Sequence, residues 1–192
     1  MELRDLMETA AEAAAKIVHG VPEDRLTAPT PNPGWDVRTM VNHLFFWTRC
    51  AEFAARKQAP DDLPEEHDFT AEPGWADRFA EQARHTARAW RDPAAWEGNT
   101  SLTGAEPGMP ASVIGAMIFS EFPLHGWDLA VSTGQPVELP AEVVRAAHRE
   151  TSAIAEMARQ YGAFGPEVPV AEDAPLLDRL LGVAGRDPHW TP

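Results

Sequence analysis

Apolar positions recur at helical spacing along most of the chain, and prolines and glycines punctuate them. Leu3, Leu6, Met7, Ala10, Ala14, Ile17 and Val18 form one stripe. Their period predicts an amphipathic helix over residues 2–19, ended by Gly20 and Pro22. The run PTPNPGW, Pro29 to Trp35, reads as an extended, stiff connector, because each proline biases its predecessor away from helix. Asp36 then reads as an N-cap, whose carboxylate can accept an unpaired N–H of the first turn. Val37, Met40, Val41, Leu44, Trp47, Ala51 and Ala54 form the stripe of a second helix reaching about Gln58. A polar, acidic loop follows from Pro60 to Phe69. A third helix is predicted from Gly74 to Asp92, with Trp75, Phe79, Ala83, Thr86 and Trp90 inward.

A long linker rich in Pro, Gly and Thr ends near Pro110. Beyond it the pattern changes. The fourth helix, about Pro110 to Thr133, is apolar on nearly all sides and should therefore be central. Gly134 stops it. A fifth helix spans Pro140 to Tyr161, FGPEVPV forms another extended connector, and a short sixth helix covers Ala174 to Ala184. No strand of ordinary length is legible, and there is no internal repeat. The pattern predicts an all-α helical bundle with short terminal additions.

Composition narrows the function classes. A chain of 192 residues suggests one domain and can bury roughly 70% of its unfolded surface. Against 16 bases stand 30 acids, a net charge of −14. That argues against nucleic acid, whose phosphates require clustered Lys and Arg, and against anionic lipid. The single cysteine, Cys50, excludes an intramolecular disulfide framework and a CxxC site. A lone thiol on a helix reads as a small buried hydrophobe. The longest uncharged run, Pro107 to Ser120, falls short of the 18 or so residues of a membrane span. The start, MELRDLMETAAEAAAK, lacks the apolar stretch of a signal peptide, so a cytoplasmic location is expected.

Candidate chemistry lies on the fourth helix. Two metal donors four residues apart on a helix share a face and can hold one ion. Glu121 and His125 have that spacing, and so do Glu81 and His85. Among so many acids about one such pair arises by chance, so environment must decide. Glu81 and His85 stand among Asp77, Arg78, Arg84, Arg88 and Arg91, a solvated face. Glu121 is the only charged residue between Pro107 and Trp127, with Ile114, Met117, Ile118, Phe122 and Leu124 about it. A carboxylate buried there costs several kcal/mol unless it is paired, protonated or bound to a metal. Asp128, at i+7, shares its face and could orient a ligand. A third donor must come from elsewhere. His43 lies in the stripe of the second helix with Met40 and Trp47. Alone it reads as a hydrogen-bonded core histidine; beside a buried Glu121 and His125 it reads equally as a ligand. The other histidines are weaker candidates: His19 and His189 end elements, His67 lies in the acidic loop, and His148 stands beside Arg145, Arg149 and Glu150. Trp47 and Trp127 could wall a substrate pocket or simply pack in the core.

The runs PTPNPGWDVRTMVNHL and SEFPLHGWDLA, with the tail DAPLLDRLLGVAGRDPHW, resemble the DinB-like metal-binding superfamily. More closely, they resemble the branch containing the metal-binding domain of mycothiol-dependent maleylpyruvate isomerase, in a stand-alone form. The resemblance spans essentially the whole chain. It implies one domain over residues 1–192. A four-helix bundle running up-down-down-up would occupy about 1–133, with C-terminal helices at about 139–186. It also implies a divalent metal at one end of the bundle on His43, Glu121 and His125. Zinc heads the expectation, and nickel, iron or manganese suit the same donors. Characterised relatives use such a metal to activate mycothiol or a similar thiol, which implies a thiol S-transferase or isomerase acting on a small electrophile. Related bundles often form homodimers. The chain departs from the pattern in three ways. It shows no counterpart of the full isomerase's second, α+β domain. Asn32 stands where relatives often carry Cys. Pro123 falls between the two donors of the fourth helix, where it removes a backbone hydrogen bond and predicts a kink. Two other readings use the same residues: a mononuclear Fe(II) oxygenase, whose ligand set is two His and a carboxylate, and a non-enzymatic metal- or ligand-binding bundle.

Overall fold

A computed structural model describes residues 2–62 and 64–192. Six α-helices carry the fold: α1 (Leu3–His19), α2 (Val37–Ala55), α3 (Trp75–Arg91), α4 (Ala111–Thr133), α5 (Ala141–Gln160) and α6 (Leu176–Val183). Each arises where its apolar stripe predicts. Asp36 caps α2 by accepting the Thr39 N–H at 2.8 Å. Gly134, in the left-handed region, closes α4. α2 ends three residues short of the expected Gln58, because Lys57 turns to φ 57° and breaks the helical run.

α1 and α2 each pack against both α3 and α4, so α1 and α2 stand at opposite corners of a four-helix bundle. The core is one cluster of side chains from all these helices, including Met7, Val18, Met40, Leu44, Phe79, Trp90, Phe119 and Phe122. α4 is buried nearly all round and touches α1, α2 and α5, the central place its sequence demands. α5 and α6 pack on each other and on this bundle, with Leu180 and Leu181 fully enclosed.

The linkers bring one addition to the expected all-α architecture and one correction. The linker before α4 contains a ladder pairing β1 (Asn99–Thr100) with β2 (Met109–Pro110). Two residues per strand are too few to leave a periodic signal. Pro29 to Trp35 is a tight reversal rather than an extended connector. The Thr30 N–H donates to the Trp35 carbonyl at 3.1 Å, the Trp35 N–H returns to the Asn32 carbonyl at 3.1 Å, and Gly34 turns the chain at φ 82°. Among the described residues, no helix is long and apolar enough to cross a membrane.

Candidate metal centre

α2 and α4 lie side by side, and their facing surfaces bring His43 to Glu121 and His125. One donor atom from each lies within 4.8 Å of the others. Glu121 Oε2 is 3.0 Å from His43 Nε2 and 3.2 Å from His125 Nε2. Pro123 does not separate the α4 donors: the helix runs unbroken from Ala111 to Thr133. The side chain of Glu121 keeps 27% exposure, more than its apolar neighbours in sequence suggest, because it faces a cleft.

The electrostatics follow from that geometry. Burial opposes charge on Glu121, but the His125 charge and hydrogen bonds from both imidazoles prevail and hold its carboxyl well below the usual carboxylate range. Burial also works against a charged His125, yet Glu121 and Asp128 push its pKa up to about 9. The second ring nitrogen is engaged too. His125 Nδ1 lies 2.9 Å from Asp128 Oδ2, so Asp128 orients His125 rather than His43. Asp128 is fully buried; the Arg186 charge, assisted by His125, overcomes burial and lowers its pKa.

The cleft measures about 420 Å3 and is lined by Asn32, Pro33, Trp35, Leu124, Arg186 and residues 162–165, with the three donors on its floor. A second hollow, between α2 and the acidic loop, also reaches His43 and Trp35 and is lined by Glu65, Glu66 and His67. Trp35 lines both. Its ring centroid is 4.8 Å from that of His43 and 6.3 Å from that of His125.

The sequence points to other tryptophans. Trp127 is 3% exposed and belongs to the hydrophobic core, outside the cleft lining. Trp47 approaches His43 with ring centroids 6.3 Å apart, but it lines a separate apolar hollow with Leu102, Met109 and Met117. Glu81 and His85 stand 4.0 Å apart on an exposed face, as their charged neighbours imply. Sequence reasoning missed Trp35, Phe164 and Arg186. Trp35 had a signal, its place next to the Asp36 cap within PNPGWD; Phe164 and Arg186 reach the cleft only through tertiary folding.

Residues 7–130 match the family described as the mycothiol maleylpyruvate isomerase N-terminal domain. The chain is 25% identical over 186 residues to uncharacterised proteins of Mycobacterium tuberculosis, one from strain CDC 1551 / Oshkosh and one from strain ATCC 25618 / H37Rv. Those alignments cover 93% of this chain and 94% of each relative. In three dimensions it is similar to the crystal structure of a histidine-to-alanine mutant of the mycothiol-dependent maleylpyruvate isomerase. The TM-score is 0.54 and the identity 17%, over 90% of this chain and 77% of the other. That likeness agrees with the all-α, DinB-like fold.

Proposed function

The chain belongs to the family of mycothiol maleylpyruvate isomerase N-terminal domains, and from that premise we propose a divalent-metal-binding protein that activates a low-molecular-weight thiol of the mycothiol type. The thiol would then be transferred to, or used to isomerise, a small electrophile. The observation that carries this reading is the convergence of three donor atoms within 4.8 Å at the floor of a cleft. Two imidazoles and a carboxylate fit the donor chemistry of zinc and its neighbours, and three protein donors leave a further position open.

A divalent cation bound there would lower the pKa of a thiol ligand, so that thiolate is available at neutral pH. The chain's own residues do the rest. His43 and Glu121 anchor the site from two neighbouring helices. Asp128 accepts a hydrogen bond from His125 Nδ1–H, which keeps that proton on Nδ1 and presents Nε2 to the site, where a metal would take the place of its proton. Trp35, Leu124 and Phe164 make the cleft partly apolar, which keeps competing water from the reacting sulfur.

Elemental analysis of protein purified without chelator, beside a His125→Ala variant, tests the reading. About one equivalent of metal is expected in the wild type and none in the variant. Turnover of electrophiles should then require added thiol. Oxygen consumption with Fe(II) and no thiol requirement would assign the same donors to oxygen chemistry instead. No metal after reconstitution with zinc, nickel, iron or manganese would overturn the proposal and leave Glu121 as a structural partner of two histidines.

A further inference from the structure

The segment just after α6 reaches the donor cluster from outside the region that the family match covers, which ends at residue 130. Arg186 follows α6 and is only 5% exposed. Its guanidinium grips Asp128 as a fork: Nε lies 3.2 Å from Oδ1, and Nη2 lies 2.9 Å from Oδ2. The remaining nitrogen, Nη1, donates to the Ala184 carbonyl at 2.9 Å. Both oxygens of Asp128 are thereby held, and a carboxylate held at both oxygens cannot rotate. Asp128 Oδ2 is also the atom 2.9 Å from His125 Nδ1. An ionised carboxylate only accepts hydrogen bonds, so it fixes a proton on Nδ1 and turns Nε2 toward Glu121 and His43.

The approach of Arg186 is built in. Gly185 adopts φ 77°, and a Cβ there would lie 2.8 Å from the Gly165 carbonyl oxygen. Residues 162–165 form a wall of the cleft, so this wall and the turn bearing Arg186 touch backbone to backbone. The Arg186 N–H donates to the Leu181 carbonyl at 2.8 Å, and the Phe164 ring centroid lies 6.0 Å from its guanidinium carbon.

We propose that Arg186 is a positioning residue of the metal centre. By clamping Asp128 it holds the His125 ring with Nδ1–H toward Asp128 and Nε2 toward Glu121 and His43. The consequence for metal affinity rests on the metal reading above; the orientation of the ring does not.

The test compares the wild type with R186M, R186K, D128N and the double variant R186M/D128N, each checked for helical content by circular dichroism. Zinc affinity is measured by competition with a chromophoric chelator. R186M and D128N should each bind zinc about 10–100-fold more weakly. R186K should recover part of the loss. The double variant should bind no more weakly than R186M, because both changes remove one clamp. In metal-free protein, long-range nitrogen–proton NMR should show a slowly exchanging His125 Nδ1–H in the wild type and R186K, lost to exchange in R186M. Zinc binding by R186M within twofold of the wild type, or weaker binding with an unchanged Nδ1–H signal, overturns the proposal. If R186M does not fold, R186K equal to the wild type in both readouts overturns it. A wild type that binds no zinc defeats the metal reading, while the Nδ1–H signal still decides the role of Arg186.

Discussion

One oxygen of Glu121 faces two imidazole nitrogens, at 3.0 and 3.2 Å. The apolar residues around Glu121 in sequence signalled that this carboxylate needs partners, and it has them. The partners' identities were half legible: His125 follows from the helical period, whereas His43 stands 78 residues away and joins only through packing. Replacing Glu121 with Gln keeps the side chain's size but removes the charge. E121Q is expected to keep its helical circular dichroism and to lose stoichiometric zinc binding in equilibrium dialysis. Cys50 shows the opposite environment. Burial, with a smaller contribution from Asp61, pushes its thiol up to about 11. Thiolate is therefore scarce at pH 8, and reaction with a disulfide reagent there should be slow in the native protein and fast in denaturant.

Between elements, small groups decide how closely helices approach. Gly115 on α4 faces two rings: an added Cβ would lie 2.5 Å from Trp96 and 2.8 Å from Trp90. Trp90 is fully buried and anchored by its indole N–H on the Ala51 carbonyl, so it cannot easily retreat. Gly115→Ala improves helix propensity by about 1 kcal/mol, yet overpacking of this kind costs about 1–3 kcal/mol. Chemical denaturation should show the variant to be the less stable. The loop between α2 and α3 is tied down at Asp68. Its carboxylate accepts from Arg38 at 2.8 Å, from Asn42 at 3.0 Å and from the Thr70 hydroxyl at 2.6 Å. Burial works against the charge, but these bonds prevail and lower its pKa to about 2. A depressed carboxylate pKa stabilises the fold above the unfolded value near 3.8 and ceases to do so as pH falls through about 2. Because Asp68 is half exposed, screening limits the effect to about 1 kcal/mol. Thermal melts at pH 5 and pH 2 should differ more for the wild type than for Asp68→Asn. Nothing in the acidic composition of this loop distinguishes Asp68 from its neighbours; the bonds form only once α2 presents Arg38 and Asn42.

Across the molecule, the C-terminal helices share one core with the bundle. Leu180, Leu181 and Ala184 belong to the same buried cluster as Met7 and Phe119. Arg186 adds a buried ion pair to Asp128 of α4. We propose that the chain unfolds as one unit over residues 1–192. Tryptophan fluorescence and far-ultraviolet circular dichroism should then report a single coincident transition in urea, and two separated transitions would show the C-terminal helices to be an independent domain.

The sequence by itself determined the helices, the Asp36 cap, the central place of α4 and the placing of Glu121 and His125 on one face of it. These depend on neighbours within a few positions of one another, where the helical period and the conformational limits of Pro, Gly and Asp act directly. Folding decided what surrounds the donors. Trp35 arrives through a reversal that its prolines disguise as an extended run, while Phe164 and Arg186 come from the far end of the chain. Trp127, one of the two pocket candidates by sequence position, is claimed by the core instead. Such long-range assignments turn on which helix faces meet and at what distance, and no local pattern encodes a contact between residues 58 positions apart.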